Sequence, residues 1–230
     1  MIIGDDPPAL ARQTADWIAD TIAAAKGTFR LVLSGGDTPI PLFDALAELE
    51  PAIEWKRVEF FWADERVVPW NDPRSNYGAA KAHLLSRLPL QDDLVHPIPT
   101  DGLPADCAER YQTLLMATYG GQKLDTARPL FNLVLLGLGE DGHVASLFPG
   151  QPVLDERDKW VVSTPGQTEP RITLTFPVLE SSAQIAFYVT GSEKRPVLQR
   201  VLSGDYDAPA TRLGSQRQTI WFLDRAAAGA

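Results

Sequence analysis

A single cysteine in 230 residues rules out an internal disulfide. Cys107 falls in the pattern Cys107-Ala108…Tyr111…Leu114-Leu115, a helical spacing that reads as a buried structural thiol. Cations are also scarce. Lys and Arg total 21 against 30 Asp and Glu, a formal charge of −9. Nucleic acid and anionic membrane surfaces are therefore poor partners, because each needs a basic face. A small anionic ligand remains open, since a few local cations outweigh the global sign at close range. No apolar run approaches the ~18 residues of a membrane-spanning helix. The first residues, MIIGDDPPALARQ, lack the basic and apolar regions of a secretory signal, so the cytoplasm is the expected location. Internal repeats, low-complexity tracts and the Gly-Lys-Ser/Thr of a Walker loop are missing too.

What the sequence does contain is close to the average of a folded domain, with 44% hydrophobic and 22% charged residues. Helical spacing is expected from Pro7 to Lys26, with Leu10, Trp17, Ile18 and Ile22 on one face, and again over 38–50, about 75–88, 104–119 and 193–203, with a shorter stretch at 177–182. Apolar runs at 29–36, 58–66, 131–139, 159–164, 171–175, 184–191 and 218–224 read as strands. Strands alternating with helices imply βαβ units and a mainly parallel sheet covered on both faces. The proline-rich loop at 89–104 is read as an excursion within one domain spanning 1–230.

In open parallel sheets, ligands bind outside the carboxyl ends of the strands. Four segments of suitable chemistry fall at such ends. The first is SGGDTP (34–39), where Gly35 and Gly36 let the backbone approach an anion and Asp37 or Thr38 is placed to cap the following helix. A plain β–α turn accounts for the same glycines. The second is ADERVVPWNDPRSN (63–76), in which Arg66 offers a planar fork for phosphate or carboxylate oxygens. Arg74 and Asn76 are either further contributors or loop and cap residues. The third is GLGEDGHVASLFPG (137–150). Here Gly137 and Gly139 shape a turn, and His143 opens a short helix expected over VASLF, whose N-terminus would keep the imidazole neutral as a general base. Asp141 or Glu140 stands close enough to hold its tautomer. His83 and His96 read as structural. The fourth comprises the basic points Arg171 and Lys194, each able to reach a phosphate or simply to be solvated.

The glycines of the third segment also match the G-x-G-x-x-G fingerprint of a dinucleotide loop. That fingerprint expects an acid about 20 residues further on, at the end of the next strand. The corresponding stretch, WVVSTPG, has none, and Glu140 and Asp141 would oppose a pyrophosphate.

LSGGDTP, ADERVVPWNDPRSN and GLGEDGHVASLFPG, in that order and at those separations, resemble the 6-phosphogluconolactonases, and PRITLTFPVLESSAQIAFYVTGSEKRPVL resembles that family's C-terminal segment. The resemblance implies a Rossmann-like, three-layer α/β/α fold. It also implies hydrolysis of 6-phospho-glucono-1,5-lactone in the pentose phosphate or Entner–Doudoroff route, with no metal, nucleotide or other cofactor. It assigns His143 as general base with Asp141 as its orienter, and Ser34, Gly35, Gly36 and Thr38 as a substrate-binding loop. Arg66, Arg171 and Lys194 are associated with substrate and phosphate recognition, and Asn76 joins the binding set. Asp37 departs from the family's small polar residue and is expected to cap the helix rather than face the ligand. The expected partner is a phosphorylated sugar lactone, and the expected assembly is a monomer or weak homodimer. Two rivals share the fold. A glucosamine-6-phosphate deaminase or isomerase would carry M-D-E-Y and I-A-F-N-E-P where this chain has ADER and VASLFP. A non-catalytic sugar-phosphate sensor would have a DNA-binding segment ahead of its first strand.

Overall fold

The computed structural model describes residues 1–166, 168–204, 206–213 and 218–230. The chain opens with β1 (Ile2–Gly4) and α1 (Pro7–Ala24), then runs through β2 (Phe29–Leu33), α2 (Ile40–Glu48), β3 (Val58–Trp62), β4 (Asp64–Arg66) and α3 (Asn76–His83). A long loop leads to α4 (Pro104–Tyr119), β5 (Phe131–Leu136), β6 (Val161–Thr164), β7 (Arg171–Leu174), α5 (Phe176–Glu180) and β8 (Ser182–Val189). Then follow α6 (Arg195–Ser203), α7 (Pro209–Arg212), β9 (Gln218–Asp224) and α8 (Arg225–Ala228).

Six strands form one sheet in the order β1-β9-β8-β5-β2-β3, every pair parallel. Both faces are covered, as the apolar runs of β2, β3 and β5 require, each interrupted only at its second residue by Arg30, Glu59 or Asn132. On one face Phe222 packs its ring 5.1 Å from Trp17 of α1, and α1 lies against α2. On the other, the buried side chains of Val32, Val134 and Ile185 line up across neighbouring strands with Phe61. The three-layer α/β/α reading therefore holds.

The chain winds from β2 outward to β3, then returns to β5 and continues through β8 to β9 on the opposite side. The strand order reverses between β2 and β5, and in such sheets the crevice at that reversal is where ligands bind. Loops 34–39 and 137–143 leave the sheet there, flanked by the ends of β3 and β8.

The sequence expected one strand over 58–66 and placed 159–164 and 171–175 among the strands of a mainly parallel sheet. Instead β4, β7 and β6 make a separate antiparallel sheet. Ala63 is the point of transfer. Its N–H donates to Leu33 O of β2 at 3.0 Å, and its carbonyl accepts from Leu174 N of β7 at 2.9 Å. The backbone thus passes from one sheet to the other with no residue unbonded, and no residue type announces the change. The three-residue edge strand β1 was not expected at all. Cys107 is fully buried in α4, as its spacing suggested.

Candidate active site

The residues at the strand ends meet in one pocket of about 200 Å³ over the β2–β5 reversal. Its lining includes Ser34, Gly35, Gly36 and Thr38 from the first loop, Arg66 and Asn76 from the second, His143 from the third, and Arg171 and Lys194. Asp141 supports His143 from outside the lining. A larger groove of about 780 Å³ runs between α4 and residues 152–163. It brings together none of these residues and no histidine.

The histidine turn is built by backbone hydrogen bonds. Gly142 N donates to Gly139 O at 2.9 Å, and Gly139 N to His143 O at 3.0 Å. Asp141 folds back over this turn, its Oδ1 lying 2.5 Å from His143 Nδ1 and 3.1 Å from the His143 backbone N. Partial burial pushes the Asp141 carboxyl up, but the hydrogen bonds from the His143 ring and backbone outweigh it and hold the group below its usual range. An ionised Asp141 accepts the proton of Nδ1, which leaves the lone pair on Nε2. Phe148 packs 4.5 Å from the imidazole, ring to ring. Tyr206 anchors the turn from the far side, donating to Asp141 O at 3.0 Å.

Two expectations about this region fail. VASLF forms no helix. Residues 144–147 close a tight turn with a Val144–Leu147 bridge, and Ala145 takes a φ of +49°. No helix dipole therefore acts on His143, and Asp141 sets its tautomer instead. The left-handed turn at Ala145, at a cost on the order of 1–2 kcal/mol, faces Ser146 inward. Ser146 Oγ donates to Asp64 Oδ2 at 2.5 Å, and Ser146 N to Thr173 Oγ1 at 3.2 Å. The second failure is the cap expected of Asp37, which stays out of the pocket as expected but caps no helix. Asp37 is exposed and outside the lining, and α2 has no side-chain cap from either Asp37 or Thr38. The first turn of α2 is thereby left open toward the pocket, with Thr38 and Pro39 in the wall.

Adjacent acids take opposite jobs, because successive strand residues face opposite ways. Asp64 lines the pocket, with Oδ1 accepting from Asn76 Nδ2 at 3.2 Å and Oδ2 lying 3.8 Å from Arg171 Nη1. Glu65 is completely buried beneath α3. Its two oxygens accept from the backbone N–H groups of Arg66, Asn76 and Tyr77 and from Ser75 Oγ, all between 2.8 and 3.0 Å. Burial pushes this carboxyl above its ordinary range, and the backbone donors only partly offset that. Glu65→Gln would turn an amide nitrogen toward one of these donors. The expected cost is about 1–3 kcal/mol, the penalty for a buried donor without an acceptor, read as a melting temperature several degrees lower. An unchanged melting temperature would contradict this role for Glu65.

The cations are partly desolvated. Arg66 Nη1 is tied to Arg74 O at 2.6 Å, while Arg66 Nε and Arg171 Nε are buried with no partner among the described residues. Burial lowers the Arg171 pKa, chiefly by desolvation, with Asp64 opposing. Lys194 Nζ lies 3.9 Å from Glu140, the neighbour of Asp141. Arg74 instead pairs at the surface with Asp72 and Glu169. Gly35 is required by close packing, since a Cβ there would sit 1.8 Å from Asn76 Oδ1. The sequence places Asp64 beside the cleft only as one of three successive ionisable residues, with no role, and gives no sign of Ser146 or Tyr188, all at or near this pocket. Among the described residues no group of three or more His, Cys, Asp or Glu side chains is placed to hold a metal ion.

A small polar pocket rich in cations, with a carboxylate-bound histidine at the strand-order reversal of a parallel sheet, defines an α/β enzyme for a small anionic substrate. Residues 5–221 match the family model described as glucosamine-6-phosphate isomerases/6-phosphogluconolactonase, and the chain belongs to this family. It is 40% identical over 232 residues to 6-phosphogluconolactonase 3, chloroplastic, of Arabidopsis thaliana, covering 95% of this chain and 70% of that protein. The crystal structure of 6-phosphogluconolactonase from Thermotoga maritima aligns with a TM-score of 0.84 at 30% identity, over 97% of this chain and 98% of that one. A monomeric glucosamine-6-phosphate deaminase shares the fold at 21% identity, with a TM-score of 0.80 over 100% of this chain and 99% of that one.

Proposed function

We propose that this enzyme hydrolyses 6-phospho-D-glucono-1,5-lactone to 6-phospho-D-gluconate, the step that follows glucose 6-phosphate oxidation in the pentose phosphate or Entner–Doudoroff route. The observation that carries the reading is His143, held by Asp141 at 2.5 Å, lining the same pocket as Arg66 and Arg171, whose buried Nε atoms have no partner among the described residues. Its curated relatives are named for this lactonase activity.

In this account the phosphate is held by the 34–38 loop and by Arg66, Arg171 and Lys194. His143 Nε2 takes a proton from a water molecule as its oxygen attacks the lactone carbonyl at C1, and Asp141 stabilises the resulting imidazolium. A tetrahedral oxyanion forms and then collapses. The bond from C1 to the ring oxygen breaks, and the ring oxygen leaves as a hydroxyl after taking the proton from the His143 imidazolium, which restores the neutral base. Hydrolysis of a strained lactone needs no covalent intermediate. Positioning together with one base suffices.

The deaminase reading calls for a second carboxylate after the histidine. At the position where that motif carries glutamate, this chain has Phe148, packed against the imidazole. The test is formation of 6-phosphogluconate from freshly prepared lactone, above the spontaneous rate. Ammonia released from glucosamine 6-phosphate would overturn the assignment, as would ligand binding without turnover.

Arg171 provides a second check. Arg171→Ala should raise KM about 10–100-fold, the worth of a charge-assisted hydrogen bond, with a much smaller change in kcat. An unchanged KM would remove Arg171 from the phosphate site.

A further inference from the structure

The wall that β8 gives the pocket holds a polar group the mechanism above does not use. Tyr188 lines the pocket and is only 3% exposed, and its Oη has no hydrogen-bond partner among the described residues. Apart from the Asp224 carboxylate, which accepts from Gly191 N and Ala227 N, its neighbours on this face of the sheet are apolar. Ala186 precedes it by two residues, Phe222 lies beside it on β9, and Leu135 and Leu42 share the pocket wall. Phenylalanine would fill the same space and leave no orphan hydroxyl, and buried hydroxyls in native structures are nearly always bonded. Burial, with the Asp224 carboxylate adding to it, pushes the phenol up to about 12, so it stays protonated and can donate.

We propose that Tyr188 is a substrate-contacting residue whose Oη donates a hydrogen bond to an oxygen of the bound sugar phosphate. The inference rests on the sugar-phosphate reading of this pocket. Two kinds of acceptor fit, a hydroxyl of the sugar or a phosphate oxygen. A site built to bond one substrate oxygen also disfavours an analogue lacking it, because the phenol would then stay unpaired. Tyr188 would thus sharpen selection among phosphorylated lactones.

The test is Tyr188→Phe, which keeps the ring and removes only the hydroxyl. Three quantities are compared with the wild type: the melting temperature, kcat/KM on the lactone, and the affinities for 6-phosphogluconate and inorganic phosphate by calorimetry. The proposal expects no loss of melting temperature, and a fall of about tenfold in kcat/KM and in 6-phosphogluconate affinity, the weight of one neutral hydrogen bond. Weaker inorganic phosphate binding would place the contact on the phosphate, and unchanged phosphate binding would place it on the sugar. Affinity and kcat/KM within twofold of wild type would overturn the proposal. So would a lowered melting temperature, which would show that Oη is bonded within the protein. If the wild type bound 6-phosphogluconate tenfold more tightly than the variant yet failed to hydrolyse the lactone, the functional reading would fail and the contact would stand.

Discussion

His143→Ala is expected to lower kcat on the phosphorylated lactone by about 10²–10⁴, the usual contribution of a positioned general base, with little change in KM or melting temperature. The imidazole sits on a turn held by backbone bonds among Gly139, Gly142 and His143, and Tyr206 buttresses the Asp141 carbonyl. None of these contacts uses the ring. Its loss therefore leaves the turn in place and removes the base, together with its contacts to Asp141 and Phe148. The phosphate contacts proposed for this site come from other strands, which is why KM should hold. The reaction is followed as formation of 6-phosphogluconate with the spontaneous rate subtracted. Near wild-type turnover would mean that another group carries the proton.

The second large effect is expected at a residue with no chemistry of its own. Gly139→Ala should lower kcat by roughly 10² or more, approaching the loss of the base itself, while 6-phosphogluconate still binds. A Cβ at Gly139 would lie 2.0 Å from His143 Nδ1 and 2.2 Å from Cε1. Those separations are far inside van der Waals contact, so the imidazole must leave its place beside Asp141. Rotation of the ring forfeits the bond to Asp141 and with it the tautomer that leaves Nε2 unprotonated. Residues that act as one unit are strongly non-additive. The double variant Gly139→Ala with His143→Ala should therefore be no slower than His143→Ala alone. Additive losses would show that Gly139 acts through something other than the imidazole, such as the path of the loop.

Much of this site could be read from the sequence, because strand ends are easy to find where buried apolar runs stop at glycine or charge. The run to Leu33 before Ser34-Gly35-Gly36, the run that ends in Asp64-Glu65-Arg66, and the run to Leu136 before Gly137 are such stops, and the fold then brings them to one edge. What escaped was decided by tertiary contacts. VEFFWADER reads as one unbroken strand because neither alanine nor alternation reveals that the backbone of Ala63 bonds to different sheets on its two sides. Residues 144–148 contain good helix formers, yet the inward hydrogen bond of Ser146 to Asp64 requires the left-handed turn at Ala145. Period-two alternation says that Asp64 and Glu65 part company but not which one meets the pocket. Asp37 looked like a cap, and the first turn of α2 does without one. Tyr188 gives no signal in the sequence because an aromatic residue in an apolar strand looks like core, and only its hydroxyl, without a partner among the described residues, sets it apart.

The most direct test of the central claim, that His143 is the base, is the pH dependence of kcat/KM in wild type and His143→Ala. Wild-type kcat/KM should fall tenfold per pH unit on the acid side as a single group is protonated. In His143→Ala the residual activity should lose that acid limb. The same limb persisting in His143→Ala would assign the proton transfer to another residue and contradict the account.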